Sequence, residues 1–120
     1  MHSDRLLEHF RNPRNVGALP PPAVTVEVSN PACGDVLRLS AELDGDTVAT
    51  ARYQVMGCTA SIAAGSVLTE LLVGKSKAEI AALRASDVEE ALEGLSTESK
   101  HAAVLATDAA RALARSIESK

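Results

Sequence analysis

The sequence predicts an α+β fold, a three-stranded antiparallel sheet with helices packed on one face. Three observations carry it. Apolar and polar residues alternate over 24–28, 36–43 and 47–55, the period of half-buried strands. After Gly57 the period changes to that of a helix, and the later segments are separated by cap signals. Strands first and helices afterwards place the helices on a single sheet face. A chain of 120 residues suits one domain with a real core, so residues 1–120 are expected to form a single unit.

Ser3 can cap a short first helix whose Leu6, Leu7 and Phe10 follow helical spacing. Asn12-Pro13 ends it. His2, being terminal, and His9, which falls off that stripe, are expected to be solvated. "LPPP" at residues 19–22 is the nearest thing to a linker. The first strand then puts Val24, Val26 and Val28 on one face. The second puts Leu37, Leu39, Ala41 and Leu43 inward, and Asp44-Gly45-Asp46 turns the chain back. Ala49, Ala51, Tyr53 and Val55 are expected inward on the third. Ala64, Val67, Leu68, Leu71 and Leu72 line one face of a long helix that stops at Gly74. Ser76 with Glu79, and Ser86 with Glu89, read as capping boxes of two short helices. A last helix from about Lys100 turns Leu105, Ala109, Ala112, Leu113 and Ile117 to the core, with Asp108 solvated.

Composition narrows the function. Hydrophobic residues make up 46% and aromatics 2%, with one Phe, one Tyr and no Trp. The core must therefore be aliphatic. A net charge of −4 argues against electrostatic binding of nucleic acid, and the missing aromatics remove a base-stacking platform. No apolar run reaches membrane-spanning length, and the N-terminus lacks a signal-peptide core. The expectation is a cytoplasmic protein with neither nucleic-acid nor membrane partners. Two cysteines without a secretion signal point to catalysis or metal binding rather than a disulfide.

Both cysteines lie beside the chain's punctuation: Cys33 in "NPACGD", Cys58 in "MGCTAS". Cys33 falls in the loop between the first two strands. Cys58 opens the long helix, where the helix dipole favours a thiolate. Gly57 permits a tight approach, and Asp35 can offer an oxygen to the same ion. His101 sits in the first turn of the last helix. Cys33, Asp35, Cys58 and His101 make a mixed sulfur, nitrogen and oxygen set that suits zinc or iron. There is no CxxC motif, and by residue chemistry two readings stand: a metal site, or two thiols filling space in tight turns. The Gly-containing "MGCTASIAAGS" lacks the ending of a phosphate loop. Ser61 and Ser66 have no paired base and carry little weight as nucleophiles.

Three long stretches carry a resemblance: "EHFRNPRNVG", "NPACGD" and "ARYQVMGCTASIAAGSVLTELLVGKS". Together they make the chain resemble the NifU/IscU-type iron–sulfur cluster assembly scaffolds along almost its whole length. In that family three cysteines, an aspartate and a histidine hold a nascent 2Fe-2S cluster or a zinc ion. The resemblance implies Cys33 as first thiol, Asp35 as the aspartate, Cys58 as second thiol and His101 as the histidine. It implies a 2Fe-2S cluster or iron as cargo, with zinc as the other metal. It also implies a cysteine desulfurase and iron–sulfur acceptor proteins as partners, a monomer or weak homo-oligomer, and a scaffold rather than an enzyme. The alternative within the family is a divergent zinc- or iron-binding member that regulates or adapts without building clusters. Two departures stand out. The family pattern has a cysteine after the histidine, where this chain has Ala102. The bacterial members carry a proline-containing chaperone-recognition segment before it, and "LSTESKH" has no proline.

Overall fold

The computed structural model describes residues 2–31 and 34–117. Helix α1 (Asp4–Arg11) is followed by strands β1 (Val24–Asn30), β2 (Asp35–Asp44) and β3 (Thr47–Met56). Helices α2 (Thr59–Leu72), α3 (Lys77–Ala81), α4 (Ala85–Ala91) and α5 (Lys100–Ser116) complete the order, with one 3₁₀ turn at Thr97–Ser99. The strands form one antiparallel sheet in the order β1-β2-β3. Helices α2 and α5 lie against that sheet, α1 packs on α2, and α3 and α4 pack on α5. The α+β expectation holds, and the core is aliphatic with Tyr53 as its largest member.

The strand alternation is kept except at one place. Glu42 pairs with Thr50 but Leu43 pairs with Val48, so Ala49 is an extra residue in a bulge. A bulge shifts the face of every side chain beyond it. Val48 is therefore buried and Ala49 exposed, which corrects the inward placement of Ala49. The outer edge of β3 is closed by the segment after α1. Tyr53 N–H donates to Asn15 O, and Gly17 N–H donates to Tyr53 O, both at 2.9 Å.

Helix α2 is buried almost all round, not along one stripe. Small residues make this feasible. A Cβ on Gly65 would lie 2.4 Å from the Tyr53 ring, so only glycine lets α2 sit this close to β3. The Tyr53 hydroxyl donates to Ile62 O at 2.8 Å, and burial pushes its phenol pKa up to about 12.

Two further expectations are corrected. His9 is fully buried, not solvated. Helix α1 is clamped between α2 and the segment that follows it, so the side away from the Leu6 stripe is covered as well. His9 Nδ1 lies 2.8 Å from Ser66 Oγ and 3.4 Å from Arg14 Nη1. Arginine can only donate, so Nδ1 is the acceptor and Nε2 carries the proton, 3.4 Å from Glu70 Oε1. Burial, helped by Arg14, holds His9 below the ordinary histidine range, so it is neutral. The other correction is in α4, which starts at Ala85. Its cap is the Asp87 carboxylate accepting from Arg84 N–H at 2.9 Å, so Ser86 lies inside the helix. Ser76 and Glu79 do form the expected capping box on α3.

Candidate metal centre

Three element ends converge on one point. Asp35 is the first residue of β2, paired with Asn30 across the sheet. Cys58 is the N-cap of α2, two residues beyond the end of β3. His101 lies in the first turn of α5. The β2–β3 ladder pairs Val36 with Met56, which brings the start of β2 beside the start of α2. The packing of α2 on α5 brings His101 to the same spot. The sequence-expected Asp35, Cys58 and His101 thus meet. Cys33 lies outside the described residues.

The donor atoms make a nearly equilateral triangle. Cys58 Sγ is 3.5 Å from Asp35 Oδ2 and 3.5 Å from His101 Nε2. His101 Nε2 is 3.6 Å from the same Asp35 oxygen. A tetrahedral ion held about 2.3 Å from sulfur and about 2.0–2.1 Å from nitrogen and oxygen sets edges of about 3.5–3.6 Å to sulfur and about 3.3–3.4 Å between nitrogen and oxygen. The two sulfur edges match and the His101–Asp35 edge is slightly longer, so the triangle is close to one face of such a tetrahedron. The donor set, one thiol, one imidazole and one carboxylate, is the borderline mixture that zinc and iron accept.

Each donor is oriented by its neighbours. His101 Nδ1 lies 3.0 Å from Glu98 O. A carbonyl can only accept, so the neutral ring carries its proton on Nδ1 and turns the Nε2 lone pair toward Cys58 and Asp35. Cys58 has extended backbone angles and makes no cap hydrogen bond with its side chain, so its sulfur is left to face the triangle. Asp35 is 5% exposed and accepts from Ser61 Oγ at 2.5 Å. Gly57 is the residue that allows this. A Cβ there would stand 2.6 Å from the Asp35 carboxyl carbon and 2.9 Å from each of its oxygens.

Ser61 is the residue that sequence reasoning passed over. Sequence spacing does carry a signal, since an N-cap and the residue three positions on share one side of a helix's first turn. Ser66 also has a partner, the buried His9. Ala102 follows His101 and is fully buried. Its methyl group offers no donor atom to the site.

The sequence matches the family described as NifU-like N terminal domain over residues 1–120. It is 37% identical over 123 residues to "Iron-sulfur cluster assembly scaffold protein IscU" of Escherichia coli strain K12, covering 99% of this chain and 95% of that protein. It is 37% identical over 111 residues to the protein named IscU 1 of Archaeoglobus fulgidus, covering 92% of this chain and 72% of the relative. The crystal structure of an N-terminal NifU-like protein from Brucella abortus matches in fold with a TM-score of 0.75 at 21% identity, covering 96% of this chain and 92% of that one. The chain belongs to the NifU-like N-terminal domain family.

Proposed function

We propose that this protein is an iron–sulfur cluster assembly scaffold, a single domain over residues 1–120, that holds iron or a 2Fe-2S cluster as cargo and passes it to acceptor proteins. The observation that carries this reading is the triangle of Asp35 Oδ2, Cys58 Sγ and His101 Nε2 with edges close to those of a tetrahedral site. Cys33, two residues before Asp35, is the fourth ligand in the proposal. Its relatives bear the scaffold name, which supports the same function here.

The geometry suits holding and release more than turnover. Two cysteines, one histidine and one aspartate give a cluster fewer thiolates than the four cysteines that hold most such clusters. Cys58 is exposed, so cargo can be reached from outside, while the carboxylate and its hydroxyl partner stay buried. Binding requires the cysteines as thiolates and the histidine neutral, and in the neutral ring the His101–Glu98 contact fixes the tautomer that leaves Nε2 open. With Ala102 in place of the third family cysteine, the cluster is expected to be labile. A cysteine desulfurase as sulfur source and apo iron–sulfur proteins as recipients are the partners this role needs. Among the described residues no helix is long and apolar enough to cross a membrane, which accords with a cytoplasmic place of work.

Anaerobic reconstitution with ferrous iron and sulfide tests the reading. The expected result is a coloured protein with bound sulfide that loses its cluster to an apo acceptor. Zinc uptake without sulfide retention would favour the regulator or adaptor role and count against the scaffold.

A further inference from the structure

We infer that Ser61 is a positioning residue for the metal site, its hydroxyl holding Asp35 Oδ2 facing the Cys58 and His101 donors as cargo enters and leaves. The inference rests on the metal-holding reading of that triangle. Ser61 lies in the first turn of α2, three residues after Cys58, and is fully enclosed. Its Oγ is 2.5 Å from Asp35 Oδ2 and 3.4 Å from Cys58 Sγ. The oxygen it grips is the same atom that faces both other donors.

The hydrogen-bond inventory explains why the grip survives metal binding. A serine hydroxyl has one proton, and an ionised carboxylate oxygen has two lone pairs. Ser61 gives its proton to one lone pair of Oδ2, and the Cys58 thiol donates toward the same oxygen at 3.5 Å. That thiol proton departs when metal arrives, and Oδ2 then faces the ion with the Ser61 hydrogen bond still in place. The carboxylate is thus oriented before the ion comes, from a rigid helix turn rather than a loop. Groups that orient metal ligands in this way typically contribute about 10- to 100-fold in affinity.

The test is a double-mutant cycle read by zinc affinity, measured in competition with a chromophoric chelator at fixed pH. Ser61→Ala is expected to weaken zinc binding about 10-fold or more, and to cause no further loss in an Asp35→Asn background. The visible ligand-field spectrum of the Co²⁺ form should shift between wild type and Ser61→Ala. A merely structural role would lower the thermal midpoint of the metal-free protein and leave the spectrum unmoved. Should the alanine variant fail to fold, Ser61→Thr and Ser61→Val replace it, being of one size with and without the hydroxyl. Threonine should then keep the affinity and valine lose it. Unchanged affinity in the hydroxyl-free variants, or an equal loss in both backgrounds, would overturn the inference. Failure of the underlying reading looks different: wild type binding no zinc, or Asp35→Asn binding it as tightly as wild type.

Discussion

Gly57→Ala is expected to lower metal affinity about 100-fold or more while leaving the fold intact. The new Cβ would be 2.6 Å from the Asp35 carboxyl carbon, against an optimal carbon–carbon separation of about 3.5–4.0 Å. One of the two must move by roughly an ångström. Asp35 has little room, since its backbone is fixed by pairing with Asn30 and its side chain is buried and gripped by Ser61. The carboxylate therefore leaves the donor triangle, or Gly57 drags Cys58 away from it. Either movement removes a ligand, which costs at least the upper end of the 10- to 100-fold effect of losing an orienting group. Gly57 is exposed, so overall stability should change little. Zinc titration beside urea denaturation of the metal-free variant separates the two quantities. An alanine variant with wild-type affinity would mean that Asp35 does not hold the ion.

The second large effect is on stability. Gly65→Ala places a Cβ 2.4 Å and 2.5 Å from two Tyr53 ring carbons. Tyr53 is enclosed, tied to Ile62 O through its hydroxyl, and sits on a central stretch of β3. Neither ring nor helix can retreat without opening the core between α2 and the sheet. Overpacking of this kind costs about 1–3 kcal/mol, and the upper end is expected because backbone must shift. That corresponds to a fall in thermal midpoint of roughly 10 °C for a chain of this size. Tyr53→Leu should be destabilising alone but should recover part of the loss when combined with Gly65→Ala. Far-ultraviolet circular dichroism follows the transition in every variant, including those that lack Tyr53, the single tyrosine of the chain. A variant as stable as wild type would mean that the helix–sheet spacing is more yielding than this contact implies.

The sheet and the order of elements were legible because both periods are written into local sequence. Val24, Val26 and Val28, then Leu37, Leu39 and Ala41, repeat every second residue, and Ala64, Val67, Leu68 and Leu72 repeat at helical spacing. What escaped depends on partners far along the chain. The Ala49 bulge comes from how β3 registers on β2, which alternation within β3 does not reveal. His9 reads as a surface residue until Ser66, Glu70 and Arg14 are brought around it. The start of α4 was misplaced because two cap signals overlap, and the Asp87 carboxylate takes Arg84 N–H ahead of the serine.

The candidate site divides the same way. Asp35 and Cys58 stood out by their setting beside glycines, whereas His101 drew its weight from the family resemblance. Ser61 looked inert because its partner, Asp35, lies on another element. Gly57 was read as a residue permitting close approach, and the structure supplies the object of that approach in the Asp35 carboxylate.

The most direct test of the central claim is X-ray absorption at the zinc edge of the zinc-loaded protein. The expected first shell is two sulfurs at about 2.3 Å and two nitrogen or oxygen donors at about 2.0–2.1 Å, from Cys33, Cys58, His101 and Asp35. In Cys58→Ser one sulfur should be lost. A first shell of light atoms alone in wild type, or an unchanged sulfur count in Cys58→Ser, would contradict the assignment of the ion to this triangle.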